Sequence, residues 1–438
     1  MEPFSTLYQT FLESKGITTD SRKVEPGMIY WALRGDRFDG NVFVKDALEK
    51  GAKVAITDDP SLQDLKQIFL VEDTLSALQD FARYHRQKLT LPVIAITGSN
   101  GKTTTKELMA KVLGKKFKIF ATPGNLNNYI GLPLSVLRLT DEHEMAILEL
   151  GANQHGENAL LADIAKPDYG IITNVGKDHL EGFGSPEGVK KANAELFDYL
   201  RDNRGQAFVN YDEPEVVAMS KGLTHTGYGM GNDEGPDYGG KILESEFFLK
   251  LSIEREPNED KPGLILETQL IGEFHFSNVM CAYAVGSSFG IDRASAKEAI
   301  EGYAPDNNRT QLMKTARNTL LLDAYNANPS SMELILREFV RKGNDQNLLL
   351  ILGDMNELGQ YAEEEHHQIV DWLSSNFKGE VFLVGEEFGK WIHLLGDARH
   401  FRETGDLLAY LKEHPISDRK VLVKGSRSFE LELVQDYL

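Results

Sequence analysis

Residues Leu91 to Leu113 read LPVIAITGSNGKTTTKELMAKVL, and few folds can host such a stretch. After Pro92, the run Val93 to Thr97 is short, apolar and rich in β-branched residues, which predicts a strand buried on both faces. Gly98, Ser99, Asn100 and Gly101 then make a tight turn, and Lys102 to Leu113 predicts a helix with Leu108, Val112 and Leu113 on one side. Strand, glycine turn and helix N-terminus together form an anion socket. The glycines permit positive φ and let backbone N–H groups approach phosphate oxygens, while the helix end adds partial positive charge and Lys102 a full one. The Thr103 hydroxyl can hold Mg²⁺ beside them. The general phosphate-loop spacing places a glycine five residues before Gly101, where this chain has Ile96, so the turn is a shorter variant. It reads as a site for a nucleoside triphosphate.

A length of 438 residues predicts about three domains. With 47 Lys and Arg against 67 Asp and Glu, the formal charge of −20 argues against nucleic acid and against anionic membrane surfaces as partners. The single cysteine, Cys281, excludes an internal disulfide and fits a reducing, cytoplasmic setting; in its apolar run MCAYAV it reads as a buried small hydrophobe. The opening MEPFSTLYQTFLESKG lacks the pattern of a signal peptide, and no stretch approaches the roughly 20 apolar residues of a membrane span.

The expected architecture is α/β in three units. In the first, 1–87, Met28 to Leu33 and Val54 to Thr57 read as strands and Thr74 to Gln87 as an amphipathic helix. Its clusters Asp20-Ser21-Arg22 and Arg34-Gly35-Asp36-Arg37-Phe38-Asp39-Gly40 suit a diphosphate or carboxylate, which a guanidinium fork matches. In the second, 88–305, the strands Val93 to Thr97, Met145 to Leu150, Tyr169 to Thr173 and Ala207 to Val209 alternate with helical patterns, predicting a mostly parallel sheet. The stretch Gly227 to Gly240 reads as a surface loop. In the third, 306–438, Leu320 to Leu322, Leu348 to Leu352, Val381 to Val384 and Val421 to Val423 alternate with helices in a Rossmann-like pattern.

In open sheets of this kind ligands collect beyond the carboxyl ends of strands, and the polar residues fall there. Glu149 closes MAILEL; Asn174, Asp178 and His179 follow the strand YGIIT. A carboxylate on one strand tip and an imidazole on the next, with the phosphate turn on a third, can place ligands around Mg²⁺ beside phosphates. The loop with Asn125, Asn127 and Asn128 suits a sugar or peptide, and equally suits a turn that needs left-handed backbone. The loops Asp323-Ala324-Tyr325-Asn326-Ala327-Asn328-Pro329 and Lys424-Gly425-Ser426-Arg427 also follow strands, so a second strand-end face is expected to look across at the first.

With these motifs in hand, the chain resembles the Mur ligase family along nearly its whole length. The pieces that carry the resemblance are DSRKVEPGMIYWALRGDRFDG, TGSNGKTTTKE, TPGNLNNYIGLPLSVL, LELGAN, ITNVGKDHLEGFGSPEG, DAYNANPSSM, LGDMNELG and VKGSRSFELE. The form DAYNANPSSM and the lack of a DNPR tetrapeptide favour the member that adds the final dipeptide. The resemblance implies an N-terminal UDP-sugar domain, a central ATPase domain and a C-terminal domain for the incoming dipeptide. ATP would phosphorylate the terminal carboxylate of UDP-MurNAc-tripeptide, and the amine of D-Ala-D-Ala would attack the acyl phosphate, a better electrophile than a carboxylate. The product would be a peptidoglycan precursor, made by a monomer.

Carried over by the same resemblance, Gly98, Ser99, Asn100, Gly101, Lys102, Thr103 and Thr104 hold the ATP phosphates, with Lys102 on the transferred group. Thr103 and Glu149 bind a first Mg²⁺ and His179 a second, making Lys102, Glu149 and His179 the catalytic set. Asn278 contacts adenine, and Arg309 and Asp323 reach the nucleotide from the hinge and the C-terminal domain. Ser21, Arg22, Asn127 and Asn128 belong to the UDP-sugar site, and Asn326 and Asn328 lie near the reacting phosphate. Two positions depart from the family. Asn193 stands where a carbamylated lysine is common, so no carbamate and a more weakly held second metal are expected; His275 stands where an asparagine is expected beside the adenine. The rival readings are a folylpolyglutamate synthase, whose phosphate turn lies near the chain start, and a nucleotide-binding protein without chemistry.

Overall fold

The computed structural model describes residues 4–35, 38–231, 235–244, 248–257, 262–341 and 347–438. In the N-terminal unit four short strands pair in parallel, in the order Ile17–Thr18, Ile29–Trp31, Val54–Thr57 and Ile68–Leu70. The second and third are buried throughout, which is why they read as unbroken apolar runs. Helix Thr74–Arg86 is capped by the Asp73 carboxylate, which accepts from the Ser76 N–H. Its buried face, Leu78, Phe81 and Ala82, shares one core with Leu132, Val136 and Leu161 of the next unit. Arg86 ties the two together, its guanidinium donating to the carbonyls of Leu89, Leu91, Ala165 and Lys166.

Among the described residues the central unit has nine strands: β1 (Val93–Thr97), β2 (Ile119–Ala121), β3 (Met145–Glu149), β4 (Tyr169–Ile172), β5 (Gln206–Asn210), β6 (Thr224–Met230), β7 (Tyr238–Leu243), β8 (Phe248–Arg255) and β9 (Leu264–Ile271). Their spatial order is β9-β8-β7-β6-β5-β4-β1-β3-β2. From β7 to β2 every pairing is parallel; β8 and β9 add antiparallel strands at the far edge. On one face, α1 (Lys102–Leu113) and the almost wholly buried α2 (Phe276–Ser288) pack Leu108, Val112, Val279, Met280 and Cys281 into a second core. Cys281 is a buried free thiol in that core.

The expected loop over Gly227 to Gly240 is corrected: its described residues run from one strand, β6, into another, β7, and 232–234 lie outside the described residues. Gly227, Gly229, Gly239 and Gly240 there serve close approach. A Cβ on Gly227 would meet the Tyr211 ring at 2.6 Å.

Among its described residues the third unit holds a sheet of six strands, β10 (Gln311–Lys314), β11 (Thr319–Asp323), β12 (Leu348–Gly353), β13 (Glu380–Val384), β14 (Ala398–Phe401) and β15 (Lys420–Lys424), ordered β10-β11-β15-β12-β13-β14. Only β10 is antiparallel to its neighbour. Helix α3 (Pro329–Arg341) follows β11. Residues just beyond β1, β3 and β4 and residues just beyond β11, β12 and β15 line one shared cleft of about 560 Å³.

Candidate active site

The turn between β1 and α1 has the backbone that its glycines allow. Gly98 and Gly101 have φ of +125° and +80°, a region L side chains avoid. A Cβ on Gly98 would run into Thr173, and one on Gly101 would lie 2.6 Å from Asn278 Oδ1. The turn is braced by the segment after β4: Ser99 N–H donates to the Asn174 carbonyl and Asn100 N–H to the Asn174 side chain, both at 3.0 Å. Lys102, Thr103 and Thr104 form the first turn of α1, whose N–H groups have no partner within a helix. Lys102 Nζ folds over the turn and donates to the carbonyls of Gly98 and Ser99. All seven residues from Gly98 to Thr104 except Gly98 line the cleft.

Glu149, at the tip of β3, is buried and richly held. Thr103 Oγ1 donates to it at 3.0 Å, Asn127 Nδ2 at 2.9 Å, and Lys106 Nζ lies 3.3 Å away. Burial alone would raise its carboxyl pKa; Lys106, then Arg309 and Lys102, outweigh that and hold it below the ordinary value. Sequence reasoning missed Lys106. The signal was its place three residues after Thr103, on the same side of α1.

His179 follows β4 in a left-handed backbone conformation, φ 45°, and lines the cleft. Its Nδ1 lies 2.5 Å from Glu357 Oε2, and the contact keeps the Glu357 carboxyl below its usual value. Glu357 comes from the loop after β12, and its carbonyl accepts the Glu181 N–H, so the third unit is seated directly on the His179 loop. Among the described residues no group of three His, Cys, Asp or Glu is placed to hold a metal. Magnesium asks for less: one or two protein oxygens, with phosphate and water completing its octahedron. The Thr103 hydroxyl against the Glu149 carboxylate fits that requirement, whereas a His179 nitrogen is engaged with Glu357.

The remaining expected residues divide. Asn278 lines the cleft and accepts from Thr105 Oγ1 at 3.1 Å. Arg309 stacks on the Tyr325 ring at 3.8 Å, between Asn308 and Thr310, which both have positive φ. Asp323 accepts from Thr310 N–H at 2.9 Å and from Lys424 Nζ at 2.6 Å, so it anchors the hinge as well as facing the cleft. Asn326 lines the cleft, and Asn328 Nδ2 donates across it to Asn100 Oδ1 at 2.9 Å. Asn127 and Asn128 line it too, Asn128 capping the turn that starts the helix Gly131–Val136. Ser21 and Arg22 are not among its walls: Ser21 is buried and Arg22 is exposed, forked onto its own neighbour Asp20. Asp36 and Arg37 lie outside the described residues.

Asn193 is buried outside the cleft, its amide oxygen accepting from Thr97 Oγ1 at 3.3 Å and its Nδ2 donating to the Val189 carbonyl at 3.0 Å. Lys190 is drawn off to Glu215. A carbamate does not fit this neutral, satisfied pocket.

A glycine turn between a strand and a helix that faces a Rossmann-like unit across one cleft is the arrangement of a three-unit, nucleotide-dependent enzyme. Models of one family match the chain in order: "Mur ligase family, catalytic domain" over 13–86, "Mur ligase middle domain" over 96–286 and "Mur ligase, glutamate ligase domain" over 308–427. The chain belongs to the Mur ligase family. The UDP-N-acetylmuramoyl-tripeptide–D-alanyl-D-alanine ligase of Bacillus subtilis (strain 168) is 34% identical, over 97% of this chain and 93% of that one. Among solved structures, MurF from Acinetobacter baumannii superposes with a TM-score of 0.86 at 28% identity, covering 98% of this chain and 97% of that one. MurF ligase from Thermotoga maritima in complex with ADP gives 0.84 at 26% identity, with the same coverage. Among the described residues no helix is long and apolar enough to cross a membrane.

Proposed function

We propose that this chain is the ATP-dependent ligase that joins D-Ala-D-Ala to UDP-MurNAc-tripeptide through an acyl phosphate, acting in the cytoplasm as a monomer. The observation that carries the reading is the shared cleft. Lys102, Glu149 and His179 meet there with Asn326, Asn328 and Lys424 of the third unit, all from one chain. Supporting it are the ligase named for the Bacillus relative and the ADP found in the Thermotoga structure.

The chemistry follows from the placement. The first-turn N–H groups of α1 and the Lys102 ammonium hold the phosphates and offset charge as the terminal phosphoryl group moves to the substrate carboxylate. Lys102 must leave the Gly98 and Ser99 carbonyls to do so, which a four-carbon stem permits. Thr103 and Glu149 would hold Mg²⁺, which supplies neutralisation of the phosphate oxygens. Asn127, bonded to Glu149, brings the asparagine loop to the same oxygens and so couples the UDP-linked substrate to the nucleotide. Asn328 and Asn326 approach from the opposite wall, where the incoming amine must enter. Holding the three reactants in one cleft accounts for most of what such a reaction needs.

The test is phosphate release from ATP by the purified chain, with UDP-MurNAc-tripeptide and D-Ala-D-Ala added singly and together. Turnover that requires both supports the reading. Release that depends on a folate and glutamate, or on neither peptide substrate, overturns it.

A further inference from the structure

Glu107 lies on α1 about one turn after Thr103, and it does not line the cleft. Its carboxylate faces the segment that joins the central unit to the third. Tyr303 Oη donates to Glu107 Oε2 at 2.6 Å, and Asn307 Nδ2 donates to Glu107 Oε1 at 2.9 Å. Tyr303 is buried, and burial, then Glu107, hold its hydroxyl above the ordinary value, so it remains a donor. The connecting segment is therefore tied to the same helix that begins in the phosphate turn.

Beyond Asn307 the attachments change sides. Tyr325 N–H donates to the Asn308 carbonyl at 3.2 Å, and Thr310 N–H donates to Asp323 at 2.9 Å. Arg309 thus stands on a bridge held by α1 on one side and by β11 and the loop after it on the other. Asn308 and Thr310 have φ of 58° and 51°, conformations that residues other than glycine keep only where the surroundings enforce them. The enforced bridge has a target. Arg309 lines the cleft and stacks on the Tyr325 ring at 3.8 Å. Against the upward push of burial, Lys106 and then Arg309 hold the Glu149 carboxyl below its ordinary value, so the Arg309 charge is felt at the strand tip beside the phosphate turn.

We propose that Glu107 is a positioning residue: by clamping Tyr303 and Asn307 to α1 it fixes the central side of the bridge, and so places the Arg309 guanidinium in the cleft. The inference rests on the nucleotide reading of the cleft and adds to it a residue that no ligand touches.

The experiment is a double-variant cycle read by calorimetric titration of ADP into the full chain. Glu107→Ala is expected to weaken ADP binding about tenfold, and Arg309→Ala at least about as much. In the Arg309→Ala background Glu107→Ala should cost less than about twofold more, because the carboxylate reaches the nucleotide only through the arginine. Tyr303→Phe and Asn307→Ala each cut one of the two bonds and should each lose about threefold. Glu107→Gln should bind within about twofold of the unaltered chain. Asn307 Oδ1 is buried without a partner, so its amide can turn over to accept from the new amide N–H while Tyr303 still donates to the remaining oxygen. Unchanged affinity in Glu107→Ala overturns the proposal, as does a loss equally large with and without Arg309, or a loss in Glu107→Gln as large as in Glu107→Ala. If Glu107→Ala does not fold, the same cycle with Tyr303→Phe decides. Failure of the unaltered chain to bind ADP overturns the nucleotide reading and this inference with it, whereas the other outcomes bear on Glu107 alone.

Discussion

Replacing Lys106 by methionine would strand a carboxylate in the interior. Lys106 and Glu149 are each 2% exposed, and Nζ lies 3.3 Å from Oε2. Breaking a buried ion pair by removing one partner costs about 3–5 kcal/mol. Here Glu149 would keep its hydrogen bonds from Thr103 and Asn127 and the fields of Arg309 and Lys102, so the low end, about 3 kcal/mol, applies. For a unit the size of the matched middle domain, residues 96–286, each kcal/mol lowers Tm by about 2–4 °C, giving a drop of about 6–12 °C. The assay is calorimetry, reading the transition that ADP shifts upward, because a chain of several units does not unfold in one step. Glu149→Gln in the Lys106→Met background removes the stranded charge and should recover most of the loss. A drop below about 2 °C for Lys106→Met, or a double variant as unstable as the sum of the singles, would refute the buried counter-charge.

Gly101→Ala puts a methyl 2.6 Å from Asn278 Oδ1 at a residue with φ +80°, so ADP binding should fall at least about tenfold; unchanged affinity by titration would show that the turn yields. Glu213 is raised from 4.5 to about 7, by burial first and by Asp212 next. The folded state thus holds a proton that the unfolded chain releases, and stability should fall as pH rises across that window. Glu213→Gln should flatten the fall in a series of Tm values from pH 5 to 8, and parallel curves would count against it. With Asn193 in a neutral, satisfied pocket, ligase activity should be unaffected by stripping CO₂ from the buffer, and recovery on adding bicarbonate would disprove it.

The sequence by itself determined the elements whose cause is local. A β-branched apolar run followed by two glycines and a lysine defines a strand, a turn and a helix start wherever it occurs, because the backbone requirement lies within a few residues. The same holds for the buried parallel strands, which need apolar side chains on both faces, and for the strand-end positions of Glu149, His179 and Asp323. Tertiary structure decided what those positions touch. The pairing of Lys106 with Glu149, of His179 with Glu357 and of Thr105 with Asn278 joins residues from different elements or units, and nothing near each in the chain specifies the other. Gly227 and Gly229 were read as loop because glycine marks turns and close packing alike, and only the Tyr211 ring beside Gly227 separates the two. Ser21 and Arg22 match a motif and do not line the cleft, and Arg22 is held by Asp20, since the partner of a guanidinium is set by what the chain brings within reach.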